Sequence, residues 1–241
     1  MKMAVFLVLV GIFFTSLSAQ EISESLQPIF PFQTLQGTFQ KIFDRNGVAD
    51  TVESQFYFKN TPFMFIETHS PFHQIMVIKN NETLVFYPRR QLAYQLSSER
   101  PPLLPAISYL VVFFNAEEGF ANLGLNLTRQ EFKGDTLITY WASPDPKKPI
   151  GLYRLAQYNE RTIQVTYTSP DTSIINILSF KNFITLEGIT LPQFIVSEKT
   201  SPKHYTVETV LLKKLKINLP IPAEYLNFTV PGGTKVVKKK W

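Results

Sequence analysis

Residues 71–96 read PFHQIMVIKNNETLVFYPRRQLAYQL. The stretch divides into three short extended runs, "HQIMVIK", "TLVFY" and "QLAYQL", separated by Asn80-Asn81 and by Pro88-Arg89-Arg90. β-Branched and aromatic residues between turn formers predict strands joined by tight turns. The apolar residues fall on both parities. Ile75 and Val77 alternate with Met76 and Ile78, and Val85 and Tyr87 alternate with Leu84 and Phe86. A strand with one face in water is apolar only at every second position. Each of these strands therefore requires a covering on both sides, by packed protein, by a second copy or by a ligand.

The same rhythm extends outward. Upstream, "LQGTFQKIF" places Leu35, Gly37, Phe39 and Phe43 on one side, "DRNG" at residues 44–47 reads as a turn, and "TVESQFYFKN" places Val52, Ser54, Phe56 and Phe58 on one face. "PFMFIETHS" is again apolar on both parities. These runs form a meander of about six strands. Downstream the pattern changes. Ser98 is positioned as an N-cap, Pro101 or Pro102 falls in a first helical turn, and apolar residues from Leu103 to Phe114 surround the whole cylinder. A helix apolar all round is buried or covers an apolar surface. Strands resume from Leu123 and run to Asn218, and no repeat or flexible linker divides the chain.

One domain over residues 20–241 follows. It is mainly β: an unclosed antiparallel β-barrel of about eleven strands, with helices at Glu21 to Phe32 and in the middle of the chain covering the concave face. Residues 1–19 read as a signal peptide, since Lys2 precedes the apolar run "AVFLVLVGIFF" and the small-residue stretch "TSLSAQ". The expected location is periplasmic, with the signal peptide cleaved. Cysteine is absent, so stability must come from the core alone, and 21 Phe supply ample apolar area for it. The net charge of +5 owes much to Lys235, Lys238, Lys239 and Lys240. They read as a solvated basic tail, or as a contact with an anionic membrane worth about 1 kcal/mol per Lys. The other basic residues are dispersed, which argues against nucleic acid.

Catalytic patterns are lacking. No Cys nucleophile, GxSxG or HExxH occurs. His69 and His73 are four apart with Pro71 between them, in extended sequence that offers no third ligand, so no metal is expected. A hydrolase would need His69, His73 or His204 to meet a carboxylate in a pocket, and none is expected to. Glu117 and Glu118 are adjacent rather than converging from separate elements. Neither enzymatic activity nor a cofactor is expected.

What remains is apolar surface, filled either by protein or by a lipid. An acyl chain gains about 0.8 kcal/mol per buried CH₂, so sixteen carbons gain about 10 kcal/mol gross. The expected lining is Phe39, Phe56, Phe58, Phe65, Met76, Ile78, Leu84 and Phe86 from the strands, with Ile107, Leu110 and Phe114 from the covering helix. A one-residue shift of register would exchange the strand set for its neighbours.

Four segments in order resemble the periplasmic outer-membrane lipoprotein carrier family, the LolA-like superfamily. "LQGTFQKIF" is similar to the family's early F-x-x-x-F-x-Q strand. "FYFKNTPFMFIETHSPFHQIMVI" resembles its strand pair from a Lys/Arg-Pro to a second Pro-x-x-Gln, "ETLVFYP" its T-L-W-x-Y-x-P strand, and "YLNFTVPGGTKVV" its closing F-x-F-x-x-P-x-G-x-x-V. The likeness lies in the first half and the last thirty or so residues. It implies an eleven-stranded unclosed barrel lidded by helices, an apolar cavity for the acyl chains of lipoproteins or lipids, and no chemistry. It also implies an inner-membrane transporter that loads the carrier and an outer-membrane receptor that accepts the cargo. The departures are specific. The family's lid-latching Arg in the strand after Lys-Pro has no counterpart in Phe63–Glu67, and Val85 stands in place of the Trp. A non-catalytic envelope sensor or scaffold, holding a protein partner on the same fold, is the alternative.

Overall fold

The computed structural model describes residues 30–45, 47–61, 63–97, 106–145, 147 and 150–240. The signal peptide, the Ser98 cap and Pro101 and Pro102 lie outside them. So does most of the first expected helix, and Phe30 to Phe32 at its end are not helical.

The described residues form fourteen strands in one sheet. They are β1 (Thr34–Arg45), β2 (Val48–Lys59), β3 (Phe63–Ser70), β4 (Gln74–Lys79), β5 (Glu82–Tyr87), β6 (Leu92–Ser97), β7 (Asn126–Lys133), β8 (Thr136–Ala142), β9 (Leu152–Tyr158), β10 (Arg161–Thr168), β11 (Ile175–Leu186), β12 (Ile189–Thr200), β13 (Tyr205–Ile217) and β14 (Lys235–Lys240). Helix α1 (Ile107–Asn122) joins β6 to β7, and the short α2 (Ala223–Leu226) lies between β13 and β14. The sheet order is β14-β6-β5-β4-β3-β2-β1-β13-β12-β11-β10-β9-β8-β7. Two antiparallel meanders, β1–β6 and β7–β13, thus meet at a β1/β13 seam, and β7 and β14 are the open edges. The architecture is the expected unclosed, mainly β sheet, with more strands than the eleven or so foreseen.

Turn chemistry sets much of the register. The two-residue turns at Asn159-Glu160 and Glu187-Gly188 have positive φ at both central positions, as twisted hairpins require. At the seam, a register shift between Gln36 and Thr38 accompanies a left-handed Lys214. Gly37 sits there because a Cβ would fall 2.8 Å from the Lys213 carbonyl oxygen and 2.9 Å from Leu215 Cδ2.

The basic C-terminal run is not a free tail. It is β14, parallel to β6, with Lys235 opposite Leu92 and Lys240 opposite Ser97. Its Lys-rich composition suits an exposed edge, where charge discourages pairing with another chain.

Candidate functional site

The sheet has two apolar faces, and the parity of the strands assigns residues to each. The inner face lies under α1. Its core holds Phe39, Phe56, Phe58, Met76, Ile78, Ile107 and Leu110 of the expected lining, with Phe114 partly buried against it. Phe65, Leu84 and Phe86 are on the outer face instead, in a second cluster. Met64, Ile66, Val85 and Tyr87 take the inner places next to them. Strands β3–β5 are apolar on both parities, so composition alone could not choose between these sets.

Helix α1 spans the inner face from one meander to the other. Phe114 meets Phe30 and Phe32 at ring distances of 6.3 and 6.1 Å, while Phe113 lies 5.2 Å from Phe180 and Phe120 lies 5.1 Å from Tyr153. The helix runs beyond Phe114, through exposed Glu117 and Glu118, and kinks at Asn115, whose side-chain amide donates to the Val111 carbonyl at 3.2 Å. Its start is tied to the seam. Lys41 of β1 and Glu208 of β13 form a buried ion pair of 2.8 Å, their side chains 9% and 7% exposed, and the Tyr109 hydroxyl donates to the same Glu208 oxygen. This tether connects α1 to the wall without an Arg in β3. Sequence reasoning missed it because its three members lie far apart in the chain.

Burial is uneven across the inner face. In the first meander, inner side chains such as Phe56, Met64 and Ile66 are at most 1% exposed. Around β8, β10 and the β11–β12 hairpin, Trp141, Tyr167, Phe183, Ile184, Leu186 and Ile189 pack on the same core yet stay half-buried. They lie at the two ends of these strands, Trp141 and Tyr167 level with Asn176 and Phe183 to Ile189 at the far end of the β11–β12 hairpin, and give the core a partly exposed apolar rim at each end.

The outer cluster is covered by the chain itself. Tyr225 of α2 stacks on Tyr57 with ring centroids 4.1 Å apart and planes at 21°. It also lies 4.9 Å from Phe65, and Phe228 reaches Phe65 at 5.7 Å and Phe86 at 6.2 Å. Burial, together with the hydroxyl contact to Tyr225, pushes the Tyr57 phenol up to about 12. The hairpin of residues 71–96 is therefore apolar on both sides because protein covers both, the helix within and the C-terminal segment without.

The histidines depart from expectation. His73 Nε2 lies 2.8 Å from Glu67 Oε1 with His69 beside them, in a partly exposed surface cluster that supplies the third ligand type the spacing lacked. Sequence spacing offered no third ligand; the β3–β4 hairpin supplies Glu67. His204 is exposed, in a turn closed by backbone bonds between Ser201 and His204.

A LolA superfamily protein from Nitrosomonas europaea superposes with a TM-score of 0.54 at 17% identity, over 86% of this chain and 96% of that one. The chain has a LolA-like fold. A DUF1329 family protein from Desulfovibrio piger matches with a TM-score of 0.56 at 11% identity, over 87% of this chain and 94% of that one. A domain assigned to outer membrane lipoprotein sorting, from Vibrio parahaemolyticus, matches with a TM-score of 0.52 at 9% identity, over 87% and 94%. No family model matches the sequence, and no curated protein matches it. Among the described residues, no helix is long and apolar enough to cross a membrane.

Proposed function

We propose that the protein is a non-catalytic carrier that binds acyl chains of lipoproteins or lipids on the inner face of its sheet. In this reading it is exported to the periplasm, residues 1–19 are cleaved as a signal peptide, and the domain of residues 20–241 moves its cargo toward the outer membrane. An inner-membrane transporter would load it and an outer-membrane receptor would unload it. The observation that carries the reading is the half-buried apolar rim of the second meander, Phe183, Ile184, Leu186 and Ile189 at one end of its strands and Trp141 and Tyr167 at the other, around a core crossed by an apolar helix. Such a surface gains free energy from any acyl chain that covers it. The chain would enter at the rim and advance by displacing side chains of α1, because the wall of the first meander is already filled. The expected lining then divides. Phe39, Phe56, Phe58, Met76, Ile78, Ile107, Leu110 and Phe114 belong to the acyl path, and Phe65, Leu84 and Phe86 serve the outer cover.

Native mass spectrometry of protein purified from its own host tests this. Adducts of acyl-chain mass are expected, and Phe183→Asp and Ile189→Asp should remove them while the fold persists. An empty protein with no affinity for lipid or lipoprotein would sink the proposal. The filled wall of the first meander favours one second reading, an envelope sensor or scaffold that uses the same fold to hold a protein partner. A pull-down retaining a stable partner but no acylated cargo would decide for it.

The Lys of β14 fit a membrane contact poorly as a single patch. The register sets Lys238 and Lys240 with Val236 on the face of Ala93, and Lys235 and Lys239 with Val237 on the face of Tyr94.

A further inference from the structure

The end of the β3–β4 hairpin carries a side-chain cluster with no part in the lipid reading. We propose that Glu67, His69 and His73 form a three-ligand surface site for a borderline divalent transition metal, with Zn²⁺ the best-fitting ion.

Register brings the ligands together. β3 and β4 pair from Phe63↔Lys79 to Thr68↔Gln74. One further step of that register sets His69 opposite His73, and their rings lie 6.2 Å apart with planes at 26°. Glu67 is two residues before His69 on the same strand, so the two share a face. The Glu67 carboxylate already reaches His73 Nε2 at 2.8 Å. One ligand atom from each of the three lies within 4.8 Å of the others, and among the described residues no other group of three such side chains comes together this closely.

The geometry suits a tetrahedral ion. Zinc bonds of about 2.0–2.2 Å place neighbouring ligand atoms about 3.4 Å apart. His69 is exposed and the side chains of Glu67 and His73 are 25% and 34% exposed, so rotation about side-chain bonds can close the remaining gap. The backbone between them is held in place: Thr68 is buried with its hydroxyl 2.8 Å from that of Ser54, and Gln74 is buried opposite it. Two imidazoles and one carboxylate select zinc over Mg²⁺ or Ca²⁺, which require mostly oxygen ligands. The fourth position would face water.

Isothermal titration of the full chain with ZnCl₂ tests the site. One Zn²⁺ per chain is expected, with affinity at least about tenfold weaker in each of Glu67→Gln, His69→Ala and His73→Ala. Bound Co²⁺ should show the visible absorption of a tetrahedral complex in the wild type and lose it in the variants. Zn²⁺ should also raise the melting temperature of the wild type alone. His69 is exposed, so His69→Ala keeps the fold and decides the matter even if another variant is impaired. The proposal is overturned if the wild type shows neither binding heat nor a cobalt spectrum, or if His69→Ala binds Zn²⁺ as the wild type does. In either case Glu67 and His73 are a hydrogen-bonded pair only.

Discussion

The two meanders of the sheet answer to different partners. In the first, β1–β6, the inner face is sealed by α1, and the outer face from the end of β2 to β6 is covered by Tyr225 and Phe228 of the C-terminal segment. In the second, β7–β13, the inner face keeps the half-buried rim of Trp141, Tyr167 and Phe183. Part of the second meander's outer face is polar: Arg154 donates to Gln164 at 3.3 Å, and Gln164 donates to Ser179 at 3.3 Å. Apolar residues on both parities therefore mark strands that are covered twice, and alternation marks strands whose outer face meets water. The parity of a strand states how many coverings it needs. It does not state what they are.

The contrast can be broken most forcefully at its core. Phe58, 2% exposed in the first meander, should cost about 4 kcal/mol when changed to Ala, measured by denaturant unfolding. Phe183→Ala on the rim should cost less, about 2 kcal/mol, since its side chain is only partly buried, while weakening acyl-chain binding more than Phe58→Ala does. Equal destabilisation by the two would erase the distinction between a filled wall and an open rim.

A somewhat smaller effect is expected at the seam that joins the meanders. Lys41→Met leaves Glu208 buried without its cation and should cost about 3 kcal/mol. The double variant Lys41→Met with Glu208→Leu should recover most of that, as judged by a double-mutant cycle. If the double variant is no better than the single, the pair does not act as a unit.

A change smaller than those at Phe58 and Lys41 concerns the outer cover. Tyr225→Ala removes the stack on Tyr57 and should cost about 2 kcal/mol. Because the folded chain raises the Tyr57 phenol from 10.0 to about 12, it favours the neutral ring. That stabilisation is complete below pH 10 and is lost as pH rises toward 12. In Tyr225→Ala, ultraviolet titration of the phenols should show Tyr57 ionising closer to 10. An unchanged titration would mean that the C-terminal segment does not set its environment.

Much of this architecture was legible in the sequence. The turn at Asn80-Asn81, the alternation in β1 and β2 and the all-round apolar helix gave an unclosed sheet with a covered face. The choice of face in β3–β5 was not legible, because Phe65 and Ile66, or Val85 and Phe86, are equally apolar. Only the pairing with β2, whose Phe56 and Phe58 point inward, fixes it. The final Lys run read as a tail because charge outweighs Val236 and Val237, and its strand state depends on a partner far back in the chain, β6. Glu67 was not legible as a neighbour of His73 because the turn at residues 70–72 had to be placed first.

Two pairings stand apart from all others in this sheet. β1 with β13 and β14 with β6 join strands distant in sequence, whereas every other neighbour in the sheet is also a neighbour in the chain. Local hairpins close quickly, and distant pairings must first overcome the entropy of a long loop. Each meander can thus assemble early, leaving the seam as the slow step. The edge of β6 stays unpaired until β14, far downstream in the chain, arrives. During that interval β6 is the strand edge most exposed to pairing with another nascent copy.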